Sequence, residues 1–299
     1  MQENTNFINF KKERNLGEIL SDTFTFVRQN YKSLFKVIYK VVGPILLLTL
    51  ISYTIYMVVV FKGAGNFLSP EIEENIENLT SRYAMTFLIG MIFMMVVTVL
   101  FYSLFYATLN YSVQSYIENK GEIDEEEVAE KVKYNWSKFF KLAFLSGIIV
   151  VIGFFIFFIP GVYLAVPLSL VFSIMIFHEM NITTSISYSF KLIKHNWWMS
   201  FFTLFLMMLI YYTASSVFQL PAAIYSLVNT MVSVQSEEGI SFTNIYDWPY
   251  LILNFIGTMA QFVLYGFIIV TTIFLYFSLN EKLNKSGTFE AIENLGENH

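Results

Sequence analysis

The stretch that decides the fold is Phe157–Glu179, FFIPGVYLAVPLSLVFSIMIFHE, which overlaps an uncharged run of 36 residues from Leu142 to Phe177. One helix of that length would measure about 54 Å, whereas the hydrocarbon core of a bilayer is about 30 Å thick. Proline removes a backbone donor, and glycine tolerates the conformation that ends a helix. We therefore predict that Pro160 and Gly161 form a hairpin turn between two short spans. The alternative is a kink in one tilted helix.

The composition of the whole chain is that of a membrane protein. Of 299 residues, 56% are hydrophobic and 14% are charged, and the mean hydropathy is +0.56. Further uncharged runs cover 41–61, 83–117, 196–236 and 248–280, and a span needs only about 20 apolar residues. The chain is predicted to be an all-α, polytopic transmembrane bundle of about six spans, at 41–62, 84–113, 140–159, 162–178, 197–228 and 249–278.

We expect residues 1–299 to form a single membrane domain. Residues 1–40 would be a cytoplasmic tail and an interfacial helix, 41–279 a six-span bundle built of three helical hairpins, and 280–299 a polar cytoplasmic tail. The N-terminal residues are polar rather than typical of a cleaved signal peptide, so we expect the first span to act as its own insertion signal.

The distribution of Lys and Arg predicts the orientation. Six spans with both termini in the cytoplasm place 16 of these residues inside and only Lys62 and Arg82 outside, whereas a kink at Pro160 would give 12 inside and 6 outside. Because cytoplasmic loops are enriched in Lys and Arg, the pattern favours the hairpin.

Two segments before predicted spans have the pattern of amphipathic interfacial helices. In the first, apolar residues from Leu16 to Ile38, including Tyr31, fall on one face, and the basic residues Arg28, Lys32, Lys36 and Lys40 form an i, i+4 stripe. These four are candidate contacts for lipid head groups, although the positive-inside signal alone also explains them. The second, EIDEEEVAEKVKYNW, has acidic residues early and lysines late, which suits the helix dipole. We expect this solvated helix to hold no metal.

Three segments resemble one another at the points where the chain is predicted to enter the membrane. They are NYKSLF at 30–35, NWSKFF at 135–140 and NWWMSFF at 196–202. Three units of interfacial helix plus hairpin would explain them, but so would the aromatic residues and lysines that recur at any membrane surface.

Residues that could carry chemistry are few. The chain has no cysteine, and His178, Glu179 and His195 form no recognisable metal-ligand or catalytic motif. We therefore predict no catalytic site, no metal site and no cofactor. The polar residues inside predicted spans, Asn110, Gln219, Asn254 and Gln261, are expected to make interhelical hydrogen bonds rather than a substrate pathway.

The segments RNLGEILSDTFTFVRQNYKSLF (14–35) and PGVYLAVPLSLVFSIMIFHEMNITTSISYSFKLIKHNWWMSFF (160–202) resemble the membrane domain attached to some glycerophosphodiester phosphodiesterases and the related YciC-like bacterial membrane proteins. The tail YFSLNEKLNKSG is also similar. The resemblance implies an all-helical bundle in a bacterial inner membrane, and it implies no reaction. Pro167 departs from the pattern of that group, in which many members carry a polar residue.

Two functions remain open from the sequence. The first is a non-enzymatic protein that organises the membrane or serves as the membrane subunit of a complex. The second is a transporter or flippase-like protein for an apolar or lipidic substrate. In both cases we expect membrane lipids, and other membrane proteins, as partners, and no nucleic acid.

Overall fold

The computed structural model describes residues 7–68, 76–235 and 247–285, with side chains for 7–60, 84–233 and 247–285. All regular elements in these ranges are α-helices, which confirms the predicted all-α class. The helices are α1 (Leu16–Val41), α2 (Gly43–Leu68), α3 (Ile76–Glu118), α4 (Glu125–Ile156), α5 (Phe158–Leu168), α6 (Val171–Phe177), α7 (Ile182–Ile193), α8 (Trp197–Gln235) and α9 (Trp248–Asn284).

Six of the described helical segments are long and apolar enough to cross a membrane, as predicted. They lie in α2, α3, α4, the α5–α6 pair, α8 and α9. Only 11% of the most apolar stretch of α3 is buried within the protein, although its mean hydropathy is 2.5. Most of this apolar helix surface is not covered by the protein, so it is suited to contact with lipid chains. An α-helix can lie in hydrocarbon because its backbone hydrogen bonds are made within the helix.

The described chain divides into two compact units, a first unit of 7–43, 102–211 and 265–285 and a second unit within 44–101 and 212–264. The prediction of a single membrane domain stays a prediction. Each unit is described separately below.

In the first unit, Arg14 fixes the segment that precedes α1. The side chain of Arg14 is 1% exposed, and its Nε lies 2.8 Å from Oδ2 of Asp22. Its Nη1 donates to the carbonyl of Phe10 at 2.8 Å, and the guanidinium lies over the ring of Phe274. The backbone N–H of Arg14 donates to Oγ of Ser278 at 2.9 Å, and this hydroxyl donates back to the Arg14 carbonyl at 3.0 Å. Ser278, which lies 264 positions later in the chain, thus anchors the segment that precedes α1.

The N-terminus of α1 follows from a capping box. The side chain of Asn15 accepts from the backbone N–H of Glu18 at 2.9 Å, and the Glu18 carboxylate accepts from the Asn15 N–H at 2.8 Å. Both bonds satisfy donors that a helix start leaves without partners. Capping therefore begins α1 immediately after the anchored segment.

The reversal between α4 and α5 lies at Phe157 rather than at the predicted Pro160 and Gly161. Phe157 has extended backbone angles (φ −163°, ψ 158°) and separates the two helices. Pro160 lies in the first turn of α5, where the missing N–H has no intrahelical partner to lose. A Cβ on Gly161 would lie 2.4 Å from Cγ of Phe154, and one on Gly153 would lie 3.1 Å from Cα of Gly161. The glycines therefore permit close packing of the two arms.

A hydrophobic cluster of the first unit combines residues of α1, α3, α4, α5 and α6. Phe139, Leu142, Val171 and Phe172 are buried in one cluster, and apolar residues of α7 pack against it. This packing brings the amphipathic α7 back along α6 and α5. The chain between the α6–α7 turn and α8 is thus part of the folded unit.

The second unit contains helix pairs that approach closely. Tyr56 of α2 packs on Phe87 of α3 with ring centroids 5.6 Å apart. A Cβ on Gly257 of α9 would lie 2.8 Å from the carbonyl oxygen of Phe218 in α8. Small residues at such positions allow membrane helices to pack backbone to backbone.

Candidate functional site

A cleft of about 1230 Å³ lies in the first unit, between α3, α4 and the start of α7. Its α3 wall presents Tyr111, Gln114 and Glu118, which follow one another at i, i+3 and i+7 and so share one helix face. The remaining lining residues come from α4, the end of α6, the α6–α7 turn and the first residues of α7. Charged, polar and apolar groups converge in this cleft.

Lys131 of α4 is held by carboxylates at one side of the cleft. Its Nζ lies 2.6 Å from Oε1 of Glu127 and 3.5 Å from Oε2 of Glu118. It also lies 5.9 Å from the centre of the Tyr111 ring. Two carboxylates therefore compensate the charge of this lysine.

Asn135 lies one turn after Lys131 on the same face of α4. Its Nδ2 is within 3.1 Å of the Lys131 carbonyl and within 3.2 Å of Oη of Tyr111. The amide thus links the α3 and α4 walls. Lys138, the next residue of this face to line the cleft, is exposed.

Gln114 of α3 lines the cleft and carries a buried acceptor without a partner among the described residues. Its Oε1 is buried and has no hydrogen-bond partner among the described residues. Leaving a buried acceptor unpaired costs about 1–3 kcal/mol, and such groups are uncommon in native proteins. The oxygen has almost no surface open to the cleft, so this unpaired acceptor belongs to the packing around α3.

Glu179 lies in the turn between α6 and α7 and lines the cleft. Its φ of 52° is left-handed, a region that disfavours residues with a Cβ by about 1–2 kcal/mol. The next helix is capped by Asn181, whose Oδ1 accepts from the backbone N–H of Thr184 at 2.9 Å and from its hydroxyl at 2.8 Å. The turn thus presents a carboxylate beside the N-terminus of α7.

His178, Glu179 and His195 do not form a common site. Nε2 of His178 lies 3.2 Å from Oδ1 of Asn280 in α9, and its ring packs edge-on against Tyr188 and Tyr276. His195 is exposed after α7. Within the described residues there is no group of three His, Asp or Glu side chains that could hold a metal ion.

The basic stripe of α1 divides into two parts. Nζ of Lys36 lies 3.2 Å from Glu125 and Nζ of Lys40 lies 3.9 Å from Glu126, so these two lysines connect α1 to the start of α4. Arg28 and Lys32 are exposed. Glu125 and Glu126, which the sequence analysis placed on a solvated helix, are therefore paired with lysines of α1.

The exposed face of α1 is also aromatic. Tyr31, Phe35 and Tyr39 recur at i, i+4 and i+8 and are 58%, 63% and 72% exposed. The protein-facing side of α1 instead buries Ile19, Thr23, Phe26, Leu34 and Val37. The prediction that placed Tyr31 on the same face as Ile19 and Leu34 is wrong, because Tyr31 lies beside the basic residues.

Two of the four polar residues that were predicted to bond between helices do so in the structure. Oδ1 of Asn110 in α3 accepts from Oγ of Ser173 in α6 at 2.7 Å. In the second unit, Nε2 of Gln219 in α8 lies 3.5 Å from Oγ1 of Thr258 in α9, and this hydroxyl lies 3.5 Å from Oδ1 of Asn254. Asn110 and Gln219 thus make the predicted interhelical bonds, whereas Asn254 contacts Thr258 of its own helix. Gln261 is half-buried in α9.

No protein family, curated protein or solved structure matches the chain. The cleft and the α1 surface are therefore interpreted from their own chemistry. The sequence analysis did not predict the cleft. One signal for part of it was present, because Asn181-Ile-Thr-Thr184 has the pattern of a helix N-cap at the start of α7.

Proposed function

We propose that this chain is a non-enzymatic integral membrane protein that organises lipids at the inner surface of a bacterial cytoplasmic membrane, by itself or as a subunit of a complex. Both termini lie in the cytoplasm in this proposal, in agreement with the distribution of Lys and Arg. The resemblance to the phosphodiesterase-associated membrane domain supports the same location.

The observation that carries the proposal is the exposed face of α1. Tyr31, Phe35 and Tyr39 are exposed beside Arg28 and Lys32. Aromatic side chains favour the boundary between hydrocarbon and water, and each basic residue near an anionic surface contributes about 1 kcal/mol. A helix with this face is suited to lie in the interface of a leaflet that contains anionic lipids.

The other contacts of α1 support this orientation. Its opposite face is buried in the protein, and the Lys36–Glu125 pair joins its last turns to α4. The helix is therefore held with a fixed face outward. An interfacial helix fixed to a membrane bundle would hold lipid head groups at a defined place.

The test compares spin-labelled phosphatidylglycerol with spin-labelled phosphatidylcholine in vesicles that contain the purified protein. We expect the wild-type protein to immobilise the anionic lipid preferentially, and Arg28→Gln with Lys32→Gln to reduce that preference by up to about fivefold per residue. Lys133→Gln with Lys194→Gln, at an exposed lysine of α4 and an exposed lysine directly after α7, is the matched control. Equal association of the two lipids with wild type would contradict the proposal.

The same vesicles address the transport alternative. A lipid-organising protein leaves a fluorescent phospholipid in the leaflet to which it was added. Protein-dependent movement of that lipid to the opposite leaflet would favour the flippase-like function instead. The polar residues Gln219, Asn254 and Thr258 bond to one another, which supports helix packing rather than a polar path.

The absence of enzymatic activity is part of the proposal. The strongest sequence candidates were His178 and Glu179, and the ring of His178 contacts Asn280 and two tyrosines rather than the cleft. We expect His178→Gln to complement a deletion strain as well as wild type does. Loss of complementation by a His178→Gln protein that accumulates and melts normally would support a catalytic role.

A further inference from the structure

We propose that the α4–α5 hairpin enters the cytoplasmic leaflet of the membrane and returns to the same side, so that its tip, residues 155–159, contacts the acyl chains of that leaflet. The hairpin is then re-entrant, although its two arms are long and apolar enough to be candidate spans. This inference rests on the cytoplasmic orientation in the proposed function, but it does not depend on lipid binding by α1.

Trp197 marks the level of the cytoplasmic surface beside the hairpin. The exposed residues Lys194 and His195 precede it within three positions, and Oδ1 of Asn196 accepts from Nζ of Lys282 at 2.9 Å. Lys282 is half-exposed and lies in the last turn of α9. Tryptophan also favours the boundary between hydrocarbon and water. The start of α8 is therefore suited to lie at the inner surface of the membrane.

The contact of Trp197 with Tyr163 limits the depth that α5 can reach. The two rings stack with centroids 5.7 Å apart, and the indole N–H lies 3.4 Å from the Tyr163 carbonyl oxygen. Phe157 lies only six positions before Tyr163, which is a rise of about 9 Å along a helix. The hydrocarbon core is about 30 Å thick. The reversal at Phe157 thus stays in the cytoplasmic half of the core even if α5 points straight across the membrane.

The α4 arm of the hairpin is also shorter than the hydrocarbon core. Lys141 is exposed, and Phe157 follows 16 positions later, which is about 24 Å along the helix. The two arms pack closely, because a Cβ on Gly153 would lie 3.1 Å from Cα of Gly161. The end of α4 therefore lies at the same depth as the start of α5.

The hairpin tip is suited to hydrocarbon rather than to water or to a protein partner. Phe155, Phe157, Phe158 and Ile159 are 88%, 74%, 72% and 79% exposed, and an exposed apolar patch marks a contact with protein or membrane. Protein interfaces normally have a polar rim, whereas the sequence has no charged residue in 142–177. Acyl chains are therefore the partner that fits the tip.

The backbone of the reversal lowers the cost of placing a turn in hydrocarbon. The N–H of Phe157 donates to the Gly153 carbonyl at 3.2 Å, and the Phe157 carbonyl accepts from the N–H of Gly161 at 3.3 Å. Pro160 has no N–H in the first turn of α5, where a helix start leaves donors without intrahelical partners. Because unpaired backbone groups are costly in a bilayer, both features favour a reversal inside the leaflet.

The distribution of Lys and Arg is the same for a crossing hairpin and a re-entrant one. Residues 142–177 contain neither type, so 16 of these residues remain inside and two outside. In the re-entrant arrangement α2, α3, α8 and α9 cross the membrane, and this even number keeps both termini in the cytoplasm. The two arrangements differ in the depth of the hairpin tip.

The experiment measures that depth along α4 with single cysteines, since the chain has none. Phe144, Val151 and Phe157 are exposed apolar residues. Each is replaced by cysteine in the full-length protein, labelled with bimane and reconstituted in vesicles of phosphatidylcholine and phosphatidylglycerol. Quenching is compared between a lipid nitroxide deep in the acyl chain and one at the head group. We expect the ratio of deep to shallow quenching to rise from Phe144 through Val151 to Phe157.

A hairpin that crosses the bilayer gives a different profile, with a maximum near Val151 and a fall at Phe157, and this result would overturn the proposal. A label at Phe157 that neither nitroxide quenches, and that soluble iodide does not reach, would overturn the acyl-chain assignment in favour of a protein partner. Strong quenching by iodide would place the tip in water and would overturn it too.

Labelling with a membrane-impermeant maleimide is a second readout. We expect Phe157→Cys to be protected in both spheroplasts and inverted vesicles, and Lys194→Cys to react only in inverted vesicles. Reaction of Phe157→Cys in spheroplasts would show that the hairpin crosses. Reaction of Lys194→Cys in spheroplasts would contradict the orientation in the proposed function, while the quenching profile would still decide whether the hairpin is re-entrant.

Discussion

Trp197, the first residue of α8, stacks on Tyr163 of α5 with ring centroids 5.7 Å apart, and its indole N–H lies 3.4 Å from the Tyr163 carbonyl oxygen. The two residues are 34 positions apart, and α6 and α7 lie between them. Their contact shows that α7 runs back along α6 and α5 before α8 begins. The start of α8 is therefore positioned by its contact with α5.

Because the chain has no cysteine, this contact can be tested with introduced thiols. We expect Tyr163→Cys with Trp197→Cys to be joined by a short thiol crosslinker, as detected by mass spectrometry of the linked peptides. Tyr163→Cys with Phe205→Cys is the control, since Phe205 lies about 12 Å further along α8. Crosslinking of the control pair at the same rate would contradict the arrangement.

The orientation of the chain can be tested with reporter fusions. Because 16 of 18 Lys and Arg fall on the predicted cytoplasmic side, fusions at Ser69 and Ser241 should read external and a fusion at Asp124 internal. Ser69 and Ser241 lie outside the described residues, whereas Asp124 caps α4 by accepting from the N–H groups of Glu126 and Glu127. An external signal at Asp124 would exclude this topology.

The buried guanidinium of Arg14 should make a large contribution to stability. Arg14→Gln leaves Asp22 and the carbonyl of Phe10 without their partner, so we expect a loss of about 3–5 kcal/mol in the free energy of unfolding. Lys12→Gln, at an exposed position two residues earlier, should change it by less than about 0.5 kcal/mol. Denaturation in detergent measures both, and equal stabilities of the two variants would show that the anchor has no energetic importance.

Two glycines of α4 should respond in opposite directions to the same substitution. A Cβ on Gly153 meets Leu164 at 2.8 Å and Gly161 at 3.1 Å, whereas a Cβ on Gly147 meets nothing within 4 Å. We expect Gly153→Ala to destabilise by about 1–3 kcal/mol and Gly147→Ala to stabilise by up to about 1 kcal/mol. The melting temperatures of the two variants decide this, and a neutral Gly153→Ala would mean that α4 and α5 are not tightly packed.

The sequence was sufficient to predict the membrane helices, because a bilayer requires long uncharged runs and each run became one to three helices. The prediction of a turn at Pro160 and Gly161 was less accurate, because the two residues have separate roles. Proline is compatible with the first turn of a helix, and Gly161 is needed where α5 passes Phe154. The reversal itself is made by Phe157, a residue without any turn signal.

The cleft could not be predicted because its residues come from segments far apart in the chain. Gln114, Lys131 and Glu179 have ordinary sequence neighbours, and only the folded unit brings them to one cavity. The helical wheel also placed Tyr31 on the buried side, because hydrophobicity alone does not separate an aromatic residue at a membrane surface from one in a core. Tyr31 is 58% exposed.

The Arg14–Ser278 bonds also set an order of events during synthesis. The ribosome must add 264 further residues after Arg14 before its partner exists, which takes roughly 13 to 50 seconds at bacterial and eukaryotic elongation rates. During that interval the guanidinium lacks the aromatic and hydroxyl groups of α9, so the N-terminal segment cannot reach its final position. A chain that is truncated before α9 would leave this segment undocked and open to proteases, and quality control could thereby distinguish an incomplete protein from a finished one.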